Sequence, residues 1–275
     1  MPLAVCATPI GNLEDVTSRV LAELRAADVV LCEDTRRTAV LLRRYEIEAR
    51  ELLSYHGHNE AARVASIVPR LVAGERVALV SDAGLPAIND PGGRLVGEAL
   101  AAGVAVTVLP GPSAVETALV VSGFSAAQYR FLGYLPRRRA ELDELWRELA
   151  SWRFPAVAFE SPRRLGESLA SLAAAAPARG VAVCRELTKM HEEVVRGTAA
   201  ELASRFEGGA RGEITVVIDG AGATLDAEPD LSQALAAISV LVSAGSPRKA
   251  AVDVVSDLAG LPRRALYDAS LRLDG

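Results

Sequence analysis

Residues 76–121 read RVALVSDAGLPAINDPGGRLVGEALAAGVAVTVLPGPSAVETALVV. Residues 76–80 form a short apolar run that predicts a buried strand. Residues 91–102 predict a helix that stops at Gly103, 104–109 a second strand, and 113–121 a second helix. Strand, loop, helix, strand, loop, helix implies a mostly parallel sheet covered by helices.

The same grammar extends upstream. Strands are expected at 3–7 and 29–32, and helices at 18–27, 36–45 and 59–72, the last kinked or shortened by Pro69. After Gly123 a second unit begins. It has strands at 131–133, 156–159, 181–184, 194–196 and 213–219, and helices at 140–150, 162–176 and 199–206. Strands there also follow one another directly, which predicts a mixed sheet. Residues 220–229 read as a linker. Helices follow at 231–243, at 247–259 with Ser246 as N-cap and Pro247 at the first helical position, and from Pro262 to about 271. The expected organisation is α/β: two α/β domains at 1–121 and 122–222, and a helical, helix-turn-helix-like appendage at 229–275.

Composition narrows the functional classes. Of 275 residues, 50% are apolar and 24% charged, which excludes a disordered or collagen-like chain. Three widely spaced cysteines, Cys6, Cys32 and Cys184, suit neither a disulfide framework nor a zinc site, and point to a reducing, cytoplasmic setting. No run of 18 apolar residues predicts a membrane span, and the N-terminus lacks the pattern of a signal peptide. A net charge of −5 argues against a generic nucleic-acid binder. Of the 30 cationic residues, only Lys189 and Lys249 are lysines, and the arginines cluster at 36–37, 43–44, 137–139, 163–164 and 263–264. Such clusters can hold phosphates on an acidic protein, although each pair alone reads equally as solvated surface.

Three strand ends carry unusual loops. Residues 7–13, ATPIGNL, lack the spacing of a dinucleotide or P-loop motif. Residues 81–93 hold two Asp, two Pro and three Gly, a stiff backbone suited to gripping a polar small molecule. Residues 110–114, PGPSA, open a helix. If their strands are neighbours, the three loops converge on one crevice. Residues 32–36, CEDTR, place two carboxylates and a guanidinium at a strand end, where they could serve catalysis or merely cap a helix. His56 and His58 lie two apart in a polar loop. His191 is the only other histidine, so no metal site is expected.

Together these segments resemble the tetrapyrrole methylase superfamily, the class III methyltransferases that use S-adenosyl-L-methionine. The closest likeness is to the branch that methylates the ribose 2′-oxygen of a decoding-region cytidine in 16S rRNA. ATPIGNLEDVT (7–17), CEDTRRT (32–38), SYHGHNE (54–60), VSDAGLPAINDPG (80–92), PGPSA (110–114), GYLPR (133–137), FESPRR (159–164), CRELTKMHEE (184–193) and RGT (196–198) carry it. Leu85, Asn89 and Arg163 depart from the residues common there, Thr, Ser and His. The resemblance implies an adenosylmethionine cleft between the two α/β domains and a homodimer. Carried over by motif, the cofactor would touch Pro9, Ser81, Asp82, Ala83, Gly84, Ile88, Ser113, Ala114, Phe159, Leu187, Glu213 and Ile214.

A ribose hydroxyl is a weak nucleophile, so a base or an orienting hydrogen bond should assist. The candidates are Glu33, Asp34, His56 and Glu192, with Lys189 or Arg36 holding a phosphate or lowering the hydroxyl's pKa. The expected partner is 16S rRNA or the small ribosomal subunit, with no membrane. Two other readings compete. One is a C-methyltransferase acting on a tetrapyrrole. The other is a non-catalytic helix-turn-helix protein, for which the last helix offers Arg263, Arg264 and Arg272 against Asp268 and Asp274.

Overall fold

A computed structural model describes residues 2–222 and 231–271. Most of the expected linker, and Arg272 and Asp274, lie outside the described residues. The chain divides into two compact units, Met1–Gly222 and Ala223–Gly275.

The first unit holds two five-stranded sheets. The first sheet uses β1 (Leu3–Cys6), β2 (Val29–Cys32), β3 (Leu52–Ser54), β4 (Val77–Val80) and β5 (Val106–Leu109), in the order β3-β2-β4-β1-β5, all parallel. Its central strands read LAVC, VVLC and VALV and are buried on both faces. That is why they are continuous apolar runs rather than alternating ones. Leu3, Val5, Leu31 and Leu79 face one way, toward α3 (Glu60–Val72) and α4 (Gly93–Ala101). Ala4, Cys6, Val30 and Val80 face the other, toward α1 (Ser18–Ala26) and α2 (Thr35–Arg44).

The second sheet is mixed, as expected. It joins β6 (Arg130–Tyr134), β7 (Ala156–Glu160), β8 (Gly180–Arg185), β9 (Glu193–Thr198) and β10 (Ile214–Ile218) in the order β6-β7-β10-β8-β9. Only β6 and β7 run parallel. One face packs on α6 (Arg139–Leu149), α7 (Leu165–Ala175) and α8 (Ala199–Arg205) through Leu142, Trp146, Leu165, Leu169 and Leu202. The other face meets α5 (Ala114–Ser122), whose Val115, Ala118 and Leu119 pack with Val157, Ala182 and Val217. Helix α5 leaves the first sheet and covers the second, so it joins the two layers through an apolar core.

Two local expectations are corrected. Helix α3 runs through Pro69 to Val72. Proline there lies in the last turn, where only one intrahelical bond is lost, and Ala73 N still donates to Pro69 O at 3.0 Å. Ser246 does not cap the next helix. Pro247 occupies the N-cap position and the helix starts at Arg248. Strand β3 was not foreseen.

In the second unit, α9 (Leu231–Ser243), α10 (Arg248–Ala259) and α11 (Arg263–Ser270) bury Ala234, Ile238, Val252, Val255 and Leu266 among themselves. Gly260, at φ +66°, ends α10. Arg263 is ion-paired with Asp253, which leaves α11 little positive charge to present. Among the described residues no helix is long and apolar enough to cross a membrane.

Candidate active site

Strands β4, β1 and β5 are neighbours, so the loops at their carboxyl ends lie side by side. The first two are zipped together. Thr8 N donates to Gly84 O at 2.8 Å, and Gly84 N to Thr8 O at 3.0 Å. The third loop presses on the first, because a β-carbon on Gly111 would stand 2.9 Å from Ala7 Cβ. Beyond these loops opens a cleft of about 620 Å³, walled on its other side by residues of the second sheet.

Ten of the twelve residues expected at the cofactor line this cleft: Asp82, Ala83, Gly84 and Ile88 after β4, Ser113 and Ala114 at α5, and Phe159, Leu187, Glu213 and Ile214. The other two do not. Ser81 is buried and its hydroxyl donates to Ala83 O and Gly84 O at 3.2 Å. Pro9 and Ser81 line a separate hollow of about 60 Å³ with Arg37 and Thr38. Ile10, Asp90, Tyr134, Glu160, Cys184 and Thr215 also line the cleft and were not singled out for this role. Ile10, Asp90 and Tyr134 lie inside the quoted motifs. Glu160 and Cys184 also fall in quoted motifs, FESPRR and CRELTKMHEE, but Thr215 is a strand residue that nothing local marks.

The cleft is acidic at the first sheet's edge. Glu33, Asp82 and Asp90 all line it. Asp82 is engaged: its Oδ1 accepts from Asp34 N at 3.0 Å and Arg37 stands 3.4 Å from its Oδ2. Burial raises the Glu33 pKa, and the neighbouring Asp82 charge raises it further. Burial, then the charges of Glu33 and Asp82, push Asp90 up to about 6. Burial likewise pushes the Cys184 thiol up to about 12, so it stays protonated.

The remaining catalytic candidates are outside the cleft lining. Asp34 caps α2, accepting from Arg36 N at 2.8 Å, and is also held by the Arg36 guanidinium at 2.7 and 3.1 Å. Those hydrogen bonds lower its pKa to about 2. A carboxylate so held is a weak base, and Arg36 is committed to it. His56 sits in the loop after β3 with its amide on Asn59 Oδ1 at 2.9 Å. Its Nδ1 is buried and has no hydrogen-bond partner among the described residues. Its charge acts on Glu33, lowering the carboxyl's pKa against burial.

Lys189 bridges two carboxylates, Glu186 Oε1 and Glu213 Oε2, at 2.9 Å each. Burial opposes its charge, but hydrogen bonds to Glu186 and Glu213 outweigh burial and raise its pKa. Glu192 accepts from Thr188 N at 2.7 Å. Both residues thus shape the 186–192 turn, in which Glu186 and Thr188 hold left-handed φ of +53° and +65°. Such strained positions cost about 1–3 kcal/mol each and cluster at functional sites.

Glu160 forms the cleft's opposite wall. Its carboxyl is fully buried, pairs with Arg164 at 3.2 Å, and accepts from Ser168 and from Ser161 N. Arg164 also donates to Leu135 O and Pro136 O. The paired arginines 163 and 164 therefore have different tasks. Arg164 braces the wall, whereas Arg163 is exposed.

Known proteins share this architecture. The model of the family Tetrapyrrole (Corrin/Porphyrin) Methylases matches residues 2–203. The chain is 46% identical over 276 residues to ribosomal RNA small subunit methyltransferase I of Mycobacterium tuberculosis (strain CDC 1551 / Oshkosh), covering 98% of this chain and 94% of the relative. It is 46% identical over 222 residues to the protein of that name from Thermotoga maritima, covering 79% of this chain and 98% of the relative. Among solved structures, uroporphyrin-III C-methyltransferase from Thermus thermophilus, complexed with S-adenosylhomocysteine, superposes with a TM-score of 0.53 at 18% identity. That match covers 79% of this chain and 96% of the other.

Proposed function

This chain belongs to the tetrapyrrole methylase family and, within it, to the ribosomal RNA small subunit methyltransferases I, and we propose that it methylates the ribose 2′-oxygen of a decoding-region cytidine in 16S rRNA, using S-adenosyl-L-methionine. The observation that carries this reading is the cleft itself, lined largely by residues of the motifs that carry the resemblance.

The cleft fits such a donor. Its volume of about 620 Å³ lies inside the range of roughly 300–1,000 Å³ common for small-molecule sites. Tyr134 and Phe159, in edge-to-face contact at 5.6 Å, offer aromatic faces for a heterocycle. Ile10, Ala83, Ile88 and Leu187 supply apolar cover, and the carboxylates of Glu33, Asp82 and Asp90 supply negative potential for a cationic ligand. When bound, the donor supplies an electrophilic methyl group on a sulfonium. The protein's part is to align the acceptor oxygen with it, exclude water and receive a proton.

The acceptor must be held by cations. Arg137 follows Tyr134 by three residues and Arg163 adjoins Pro162, so both stand close in sequence to the cleft lining. Both are exposed, and no ion pair to either is found among the described residues. They are available for phosphates, unlike Arg138 and Arg139, which pair with Glu141 and Asp143. On this reading the enzyme works in the cytoplasm, where its ribosomal acceptor would be, and as a homodimer, which sedimentation would test.

The test is transfer from labelled adenosylmethionine to small subunits lacking the mark, to naked 16S rRNA and to a tetrapyrrole precursor, with the labelled nucleoside identified by mass. Label on the 2′-oxygen of a 16S cytidine is expected. Label on the tetrapyrrole alone would overturn the reading.

A further inference from the structure

Five carboxylates line the cleft: Glu33, Asp82, Asp90, Glu160 and Glu213. Three are already occupied. Asp82 is held by Asp34 N and Arg37, Glu160 by Arg164, Ser161 and Ser168, and Glu213 by Lys189. Glu33 and Asp90 are the two without a hydrogen bond or ion pair among the described residues. They come from different strand ends of the first sheet, β2 and β4, which are adjacent.

We infer that Asp90 is the proton acceptor of this cleft, with Glu33 the other unengaged carboxylate of its lining. The inference rests on the ribose-hydroxyl reading above. As the acceptor oxygen forms its bond to the methyl carbon, the carbon–sulfur bond breaks and its electron pair stays on sulfur. The hydroxyl proton passes to an Asp90 carboxylate oxygen, leaving a neutral carboxyl and a neutral thioether. No further reactant is needed.

The surroundings suit the role. Two like charges, Glu33 and Asp82, act on Asp90, and among the described residues no cation pairs with it. Arg37 and His56 act instead on Glu33. Glu60, on α3, is tied to the Tyr55 hydroxyl at 2.7 Å and accepts from Gly92 N at 3.4 Å, which fixes the end of the Asp90 loop. Asp90 lies between Asn89, at φ +64°, and Pro91, so its backbone has little freedom. Burial and like charge bring its pKa to about 6, a value matched to base catalysis near neutral pH.

The sign of the pH dependence follows. Turnover rises with pH as Asp90 ionises near 6 and is flat above. Removing the Glu33 charge by Glu33→Gln lowers the Asp90 pKa and moves this acid limb to lower pH. Asp90→Asn removes the limb and lowers kcat by roughly 10²–10⁴-fold. Binding of S-adenosylhomocysteine, measured by calorimetry on each full-length variant, should stay within about threefold, because this thioether lacks the sulfonium charge that the cleft's carboxylates attract.

A second readout needs no turnover. Carbon-detected NMR of the free protein should show the Asp90 carboxyl titrating near pH 6, and lower in Glu33→Gln. The inference fails if Asp90→Asn keeps kcat, if its S-adenosylhomocysteine affinity falls in parallel with kcat, or if the carboxyl titrates in the ordinary range. Failure of the parent reading looks different. The wild-type chain would bind S-adenosylhomocysteine yet transfer nothing to ribosomal RNA, and this inference would fall with it.

Discussion

Gly11 and Lys189 stand so close that a β-carbon on the glycine would lie 2.5 Å from Lys189 Cγ. It would also lie 2.7 Å from Thr188 Oγ1 and 2.9 Å from Leu187 O. The loop that ends β1 thus docks on the turn between β8 and β9, and Asn12 N donates to Thr188 Oγ1 at 3.0 Å across the junction. Lys189 cannot swing away freely, because Glu186 and Glu213 hold its ammonium. Gly11→Ala should therefore cost about 1–3 kcal/mol by overpacking and weaken cofactor binding. Adding Lys189→Ala should recover part of the loss, since one of the three clashes is removed. Thermal unfolding and calorimetry of the two variants check this, and an unchanged Tm in Gly11→Ala would refute it.

Asp34 was a candidate base, but it is a helix cap clamped by Arg36. Its folded pKa of about 2 lies below the ordinary 3.8. The ionised carboxylate therefore stabilises the fold above the ordinary pKa, and that contribution disappears as pH falls through the folded value. Asp34→Asn should lower Tm at pH 7, and the gap to wild type should narrow between pH 4 and 2. Methyl transfer should persist in the variant. A gap independent of pH would show that the charge is not what matters.

Arg164 and Arg163 offer a contrast between adjacent residues. The Glu160 carboxyl is fully buried against Arg164. Removing one partner of a buried pair leaves an uncompensated charge, which costs about 3–5 kcal/mol. Arg164→Ala should show that loss in urea unfolding, and Glu160→Gln in the same chain should restore much of it. Exposed Arg163→Ala should stay within about 0.5 kcal/mol of wild type.

Arg137 and Arg163 should instead register in RNA binding. If each contacts a phosphate, replacing either by Ala weakens binding to the small subunit and lowers the log–log salt slope by about 1. Titrations at several salt concentrations measure the slope. An unchanged slope in both variants would remove these residues from the RNA surface.

Much of the fold is legible along the chain. Residues 29–32 and 231–243 were bounded from sequence at the residues the structure shows, because a buried parallel strand is a continuous apolar run and a helix has its own period. Strand β3 was not legible. Its three half-buried residues are too few to show a period, and only pairing with β2 makes them a strand. The special loops were legible for a related reason, since Gly, Pro and Asp mark turns through their own backbone preferences.

The features legible along the chain are therefore local ones: the elements, the three loops and the family motifs. Which loops meet was decided by the strand order β3-β2-β4-β1-β5, a matter of tertiary pairing. The same holds for the roles of charged groups. Nothing near Lys189 in sequence shows that Glu213 engages it, and nothing near Arg164 reveals a buried carboxyl wall behind it. Asp90 and Glu33 are 57 positions apart in the chain and become one site only because β2 and β4 pair. Backbone preference acts over a few residues, whereas burial and charge act through space, so the motifs could be read before folding but the proton acceptor could not.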